Sequence, residues 1–141
     1  MAYQYNERDS RYGDPFGADS SGREIDIENR IVVDPDKPLD ETSPEQLTAD
    51  QNNYSLADAI LTRFSTDAAR TITGFGGAKA GVKMIANVGS NNLVLANNSA
   101  SSDAENRILT HSGANITLTG GQLAIMIYDF TSARWRAGQL T

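Results

Sequence analysis

"NVGSNNLVLANNSASSDAENRI", residues 87–108, sets one short apolar run, Leu93 to Ala96, between two clusters of Asn, Ser and Gly. Six of its 22 residues are Asn. Gly and Asn tolerate left-handed backbone angles, and Asn and Ser side chains can bond turn amides themselves. The stretch therefore reads as two turns around a strand. It brings no general base. Asp103, Glu105 and Asn106 lie close together but lack the ligand spacing of a calcium loop, so they read as solvated loop charges.

The same grammar continues in both directions. Strands are predicted at "RTITGF" (70–75), "VKMIANV" (82–88), "NLVLA" (92–96), "RILT" (107–110), "NITLT" (115–119), "LAIMIYDF" (123–130) and "RWRAG" (134–138). Gly, Asn and Ser turns separate them. "YSLADAILTRFSTD" suits a helix through Leu56, Ile60, Leu61 and Phe64, and a strand through Ile60, Thr62 and Phe64. A strand from about Ala59 agrees with everything after it. Spacings of about 8–14 residues without helical interludes predict an all-β fold, a small antiparallel β-sandwich or jelly-roll-like barrel. "LAIMIYDF" is its most apolar strand and is expected at the centre. Leu123, Ile125 and Ile127 would share one face, with Ala124, Met126 and Tyr128 on the other, and Ile125 is expected in the core.

Charge divides the chain. Residues 1–53 hold 13 acids, 5 bases and all four prolines, whereas residues 54–141 hold 5 acids, 7 bases and the only Trp. This predicts an extended acidic N-terminal arm (1–53) and a β-sandwich domain (54–141). "REIDIENRIVVD" (23–34) alternates with period 2, as a half-buried strand does and as an arm laid across a neighbouring subunit would. Ile25, Ile27, Ile31 and Val33 are therefore candidate partner-binding residues. "SPEQLTA" (43–49) predicts one helical turn, with Ser43 as N-cap and Pro44 at the first helical position.

Several function classes are disfavoured. A formal net charge of -6 argues against general affinity for nucleic acid or anionic membrane. Without Cys there is no thiolate catalysis, disulfide or zinc-thiolate site. No basic-then-apolar leader is present, and no run approaches the roughly 18 apolar residues of a membrane span. His111, the single histidine, falls in a turn and reads as structural. "GFGGAKAG" (74–81) lacks the Gly-Lys-Ser/Thr ending of a phosphate loop and reads as a hairpin loop. No nucleophile, base and orienting residue can be assembled, so no enzyme, cofactor or metal is expected. "YDFTSARWR" (128–136) places Tyr128 and Trp135 across a short turn. Such a pair packs across strands or grips a sugar, and both residues are candidates for partner binding.

The run from "ITGFGG" through "ANVGSNNLVLANNSASSDAENRILTHSGANITLTGGQLAIMIYDFTSARWRA" resembles a β-rich module of tailed-bacteriophage virion proteins. The features are the "NVGSNNLVL" strand pair, the "NNSASS…ENRI" loop, the "ITL" strand after a Gly turn, and the closing "IYD…SARWR" hairpin, over roughly residues 70–138. The resemblance is strongest to capsid decoration, or cement, proteins. It implies a virion structural protein made in the host cytoplasm. It would sit on the capsid surface, bind the major capsid protein and associate as a dimer or trimer. Size, the acidic arm and the lack of heptads favour that context. The alternative is a receptor-binding or fibre-tip module contacting host glycan through its Asn/Ser loops, Tyr128 and Trp135.

Overall fold

The computed structural model describes residues 40–140. Ile25, Ile27, Ile31 and Val33 lie outside them. Among the described residues the chain is all-β, with one 3-10 turn at Ala104–Asn106 and no α-helix. Its compact unit runs Leu39–Thr141.

The strands wind as a coil. The first turn of the coil carries β1 (Glu41–Thr42) and β2 (Tyr54–Leu56). The second carries β3 (Leu61–Phe64), β4 (Arg70–Ile72) and β5 (Phe75–Gly77). The third carries β6 (Val82–Asn87) and β7 (Leu93–Leu95). β1 to β4 each pair in parallel with the strand lying roughly 20 residues later, the period of a short solenoid repeat. Thus Glu41 meets Leu61, Leu61 meets Met84, Tyr54 meets Phe75 and Arg70 meets Leu93. Single parallel bridges, Leu47 with Thr66 and Gln51 with Ile72, join the same turns between strands.

The remaining strands close this stack. β8 (Ile108–Thr110), β9 (Ile116–Leu118), β10 (Leu123–Asp129) and β11 (Arg134–Leu140) follow the third turn. β9 runs antiparallel to β7, and β10 antiparallel to β6. β11 pairs antiparallel with β10 and parallel with β8. The result is one six-stranded sheet, β1-β3-β6-β10-β11-β8, with a three-stranded sheet β4-β7-β9 and a two-stranded sheet β2-β5.

The expected sandwich or jelly-roll-like barrel is therefore not formed. The fold is a β-solenoid. Strand spacing is the same in both, but in a solenoid each strand turns a corner instead of doubling back in a hairpin. β6 and β7, expected as a strand pair, lie in different sheets. "GFGGAKAG" is no hairpin loop: Phe75–Gly77 is a strand paired in parallel with β2. "SPEQLTA" forms no helical turn, because Leu47 bonds the neighbouring coil. Its N–H donates to Ser65 O at 2.9 Å and its carbonyl accepts from Asp67 N at 3.1 Å.

In-register stacking builds the core. Thr62, Ile85 and Ala124 form one inward column, and Ile72, Leu95 and Ile116 another. Phe64, Phe75, Leu93, Leu118 and Trp135 fill the space between the sheets, all fully buried. Each such side chain contributes about 1.5–3 kcal/mol relative to exposure. Asn87 also points inward, with every polar atom matched. Its Nδ2 donates to Asn91 O and Leu118 O at 2.7 Å each, and its Oδ1 accepts from Gly89 N at 3.0 Å. β10 is central, as its composition predicts, but it is turned over: Ala124 and Met126 are buried, whereas Ile125 and Ile127 are 39% and 50% exposed. Residues 40–53, expected in the arm, supply the first coil, and Leu47 is in the core.

Candidate functional site

Alternation along the six-stranded sheet throws every second side chain outward. The register aligns these into rows. One row runs Leu61, Met84, Ile125, Gly138 across β3, β6, β10 and β11. The next runs Val82, Ile127, Arg136, Leu109 across β6, β10, β11 and β8. A globular domain normally turns polar side chains outward from such a sheet. Here the two rows hold six large aliphatics, one glycine and one charge. That charge is neutralised: Arg136 Nη2 donates to Asp129 Oδ2 at 3.0 Å. Leu109, His111, Ile125, Ile127 and Gly138 are among the residues that line a groove of about 500 Å³ on this face.

The tip of the β10–β11 hairpin is a second exposed feature. Tyr128 and Trp135 are register partners with ring centroids 5.2 Å apart, edge to face. Their cross-strand packing role is the one observed. Trp135 is fully buried, and its Nε1 donates to Phe75 O at 2.7 Å. It cannot serve as a contact residue for a partner or a sugar, because its whole surface is spent on the core. Tyr128 is half-buried, with Lys79 Nζ 4.8 Å from its ring centroid. Phe130, which the sequence reading passed over, stands 71% exposed at 4.9 Å from Tyr128. Asp129 ties the turn together. The Ser132 hydroxyl donates to it at 2.8 Å, and the hydroxyl and the Arg136 guanidinium hold its carboxyl down at about 2.

The Asn/Ser loops are inward-looking. Asn97 Oδ1 accepts from Thr110 N at 3.0 Å, and its Nδ2 donates to Gly113 O at 2.8 Å. Asn53, in the left-handed region at φ 52°, accepts from Asp103 N and Asn106 Nδ2, both at 2.9 Å. Ser102 Oγ accepts from Asn53 N at 2.9 Å and lies 2.7 Å from Thr73 Oγ1. "SSDAEN" thus fastens the end of the third coil onto the first two. Only Asn98, exposed at φ 45°, presents an amide outward from the "ANN" corner. His111 is exposed in the turn after β8, where its backbone N–H donates to Ala137 O at 3.0 Å.

Ionisable groups are mostly on the surface. The Arg70 side chain, bonded at 2.7 Å, lowers the carboxyl of Asp67. Burial raises the Tyr54 hydroxyl. Lys83 is the buried cation, donating to Ala59 O at 3.0 Å and Asp58 Oδ1 at 3.3 Å. Among the described residues no three His, Asp or Glu side chains are grouped to hold a metal ion, and no helix is long and apolar enough to cross a membrane.

The apolar rows had a signal in the sequence. Val82, Met84, Ile125 and Ile127 alternate with residues that are themselves apolar or buried, and a strand apolar on both faces is either sandwiched or exposes one of them. Comparisons with protein-family models, with curated proteins and with solved structures return no match for this chain.

Proposed function

We propose that this chain is a structural subunit of a tailed-bacteriophage virion, a decoration or cement protein that binds the outer capsid and stabilises the head. The observation that carries the reading is the rigid coil stack. Each turn is locked to the next by parallel ladders, the Asn97 and Asn53 loops bond back onto the coil, and the Arg70–Asp67 and Arg136–Asp129 pairs brace its surface. Such a body is suited to bearing load across a joint and offers no assembled nucleophile and base. The acidic residues 1–39 supply the segment for the major capsid protein, where apolar Ile25, Ile27, Ile31 and Val33 would seat in a groove and salt would weaken the charge attraction. Repetition over a shell multiplies a modest contact.

A second reading, a receptor-binding or fibre-tip module, is favoured by Phe130. An exposed aromatic ring beside a half-buried tyrosine is a platform for the apolar face of a sugar. One experiment separates the two. Full-length protein and protein lacking residues 1–39 are co-sedimented with heads that lack the protein, and adsorption to host cells is measured for phage carrying Phe130→Ala. Loss of head binding on truncation with normal adsorption supports the decoration role. Unchanged head binding together with lost adsorption rejects it in favour of the fibre-tip role.

A further inference from the structure

We infer that the outward face of the six-stranded sheet is where a second copy of this chain docks, with Ile127 of each copy seated in the Gly138 notch of the other. The inference concerns which surface joins two copies and does not depend on virion attachment. Three observations carry it.

The first is exposure. Val82, Ile125 and Ile127 are 46%, 39% and 50% exposed within two adjoining rows. Single exposed aliphatics are ordinary, whereas a contiguous patch of this kind marks an interface. The second is shape. A Cβ added at Gly138 would meet nothing within 4 Å, so the notch is open. Gly138 pairs with Ile125, and Ile127 lies two residues further along β10, so knob and notch are diagonal neighbours on adjacent strands. A two-fold axis between them places each knob opposite the other copy's notch, which is the self-complementarity that a symmetric dimer requires.

The third is area and charge. β10 is seven residues long, and at about 3.4 Å per residue it spans roughly 24 Å. Five strands from β3 to β8 at about 4.8 Å spacing span roughly 19 Å. The footprint is thus on the order of 450 Å² before side-chain relief is added. With that relief it reaches the lower end of stable interfaces, about 600 Å² per partner. Two of the charges nearby are matched within the chain, Arg136 to Asp129 and Arg63 to Glu41. Arg134, which bonds only carbonyls of its own turn, stands at the hairpin end of β11, so the two central rows bring no unpaired charge into the contact. A charged partner would find nothing on these rows to recognise, whereas an identical apolar face complements them.

The absence of cysteine makes the test direct. Full-length Ile127→Cys protein is mixed with full-length Gly138→Cys protein and oxidised, with Thr117→Cys, an exposed position on β9, as the control. Non-reducing electrophoresis is expected to show a covalent dimer joining the first two proteins and little dimer from the control. Sedimentation of unmodified protein is expected to give twice the chain mass, and Ile127→Asp to give the single-chain mass with an unchanged circular dichroism spectrum. A monomeric unmodified chain would overturn the proposal. If, in that monomer, the Ile127→Cys thiol also resisted alkylation, the face would belong to residues 1–39 instead. Equal cross-linking of the control, or an Ile127→Asp protein that still dimerises, would overturn it as well.

Discussion

At Trp135 two demands meet, bulk and a polar partner. The indole is fully buried against Phe75, with ring centroids 6.3 Å apart, and its N–H reaches the Phe75 carbonyl. Trp135→Phe should keep most of the packing but leave that carbonyl without its donor, at a cost of about 1–3 kcal/mol. Trp135→Ala should cost about 3–5 kcal/mol through the cavity. Urea melts of the two variants check the order; equal effects would mean that the hydrogen bond contributes nothing. Asp129 allows a pH prediction. Its carboxyl is held at about 2, below the ordinary 3.8, by Ser132 and Arg136. A depressed carboxylate contributes stability above its unfolded value and loses it as pH falls through the folded one. Asp129→Asn should therefore melt below wild type at neutral pH, and the gap should close between about pH 4 and pH 2. A gap that persists at pH 2 would point to the shape of the turn rather than its charge. The pairing of Tyr128 with Trp135 was legible in the sequence because a short turn fixes which residues face each other. That Trp135 is buried was not, since a Trp beside two arginines suits a core edge and a binding surface equally.

For single elements, the strands were readable, but beyond the β10–β11 hairpin their partners were not. Short β-rich runs between Gly, Asn and Ser turns locate β6 to β11 closely, because those signals are local. Pairing is a property of distance along the chain. The parallel register that makes the solenoid links residues such as Phe64 and Asn87, or Arg70 and Leu93, which share no side-chain character. The period is therefore faint as a sequence repeat and plain as a backbone repeat. The facing of β10 failed for a related reason. "LAIMIY" is apolar on both sides, so alternation fixes two faces without saying which one is buried. The structure decides it and inverts a prediction. Met126→Asp should cost several kcal/mol, because it removes a fully buried core side chain and desolvates a carboxylate whose register partner, Lys83, is already bonded to Asp58 and Ala59. Ile125→Asp should change stability by less than about 1 kcal/mol in dilute solution. Thermal melts at low protein concentration compare the two, and a severe loss in the Ile125 variant would place that side chain in the core after all.

Over the whole molecule, the question is where the folding unit begins. Composition puts the change at residue 53, but the first coil begins earlier. β1 pairs with Leu61 and Thr62, and Leu47 is 6% exposed. Gln51 N donates to Thr71 O at 2.8 Å, and Gln51 O accepts from Thr73 N at 2.9 Å. Asp50 caps Thr71 N at 2.8 Å, and Asn53 anchors the loop at Ser102 and Asn106. Residues 40–53 are mostly polar because a solenoid's corners and outer surface are solvated, and only Leu47 reports their inward side. Composition therefore assigns them to an arm while backbone pairing assigns them to the coil. Deletion of residues 1–39 should leave the melting transition of the β-unit within a few degrees of wild type. Deletion of residues 1–53 removes a strand and a core side chain. It also leaves the N–H groups of Asp67, Thr71 and Thr73 without partners, at about 1–3 kcal/mol for each one that stays buried. The total loss should reach roughly 5 kcal/mol, the entire stability of many small domains, so this shorter chain should be largely unfolded by circular dichroism. If it melts like the chain lacking residues 1–39, the first coil is an accessory and the stack begins at β3. If it unfolds as expected, the truncation at residue 39 is the one with which attachment can be separated from folding in any binding assay.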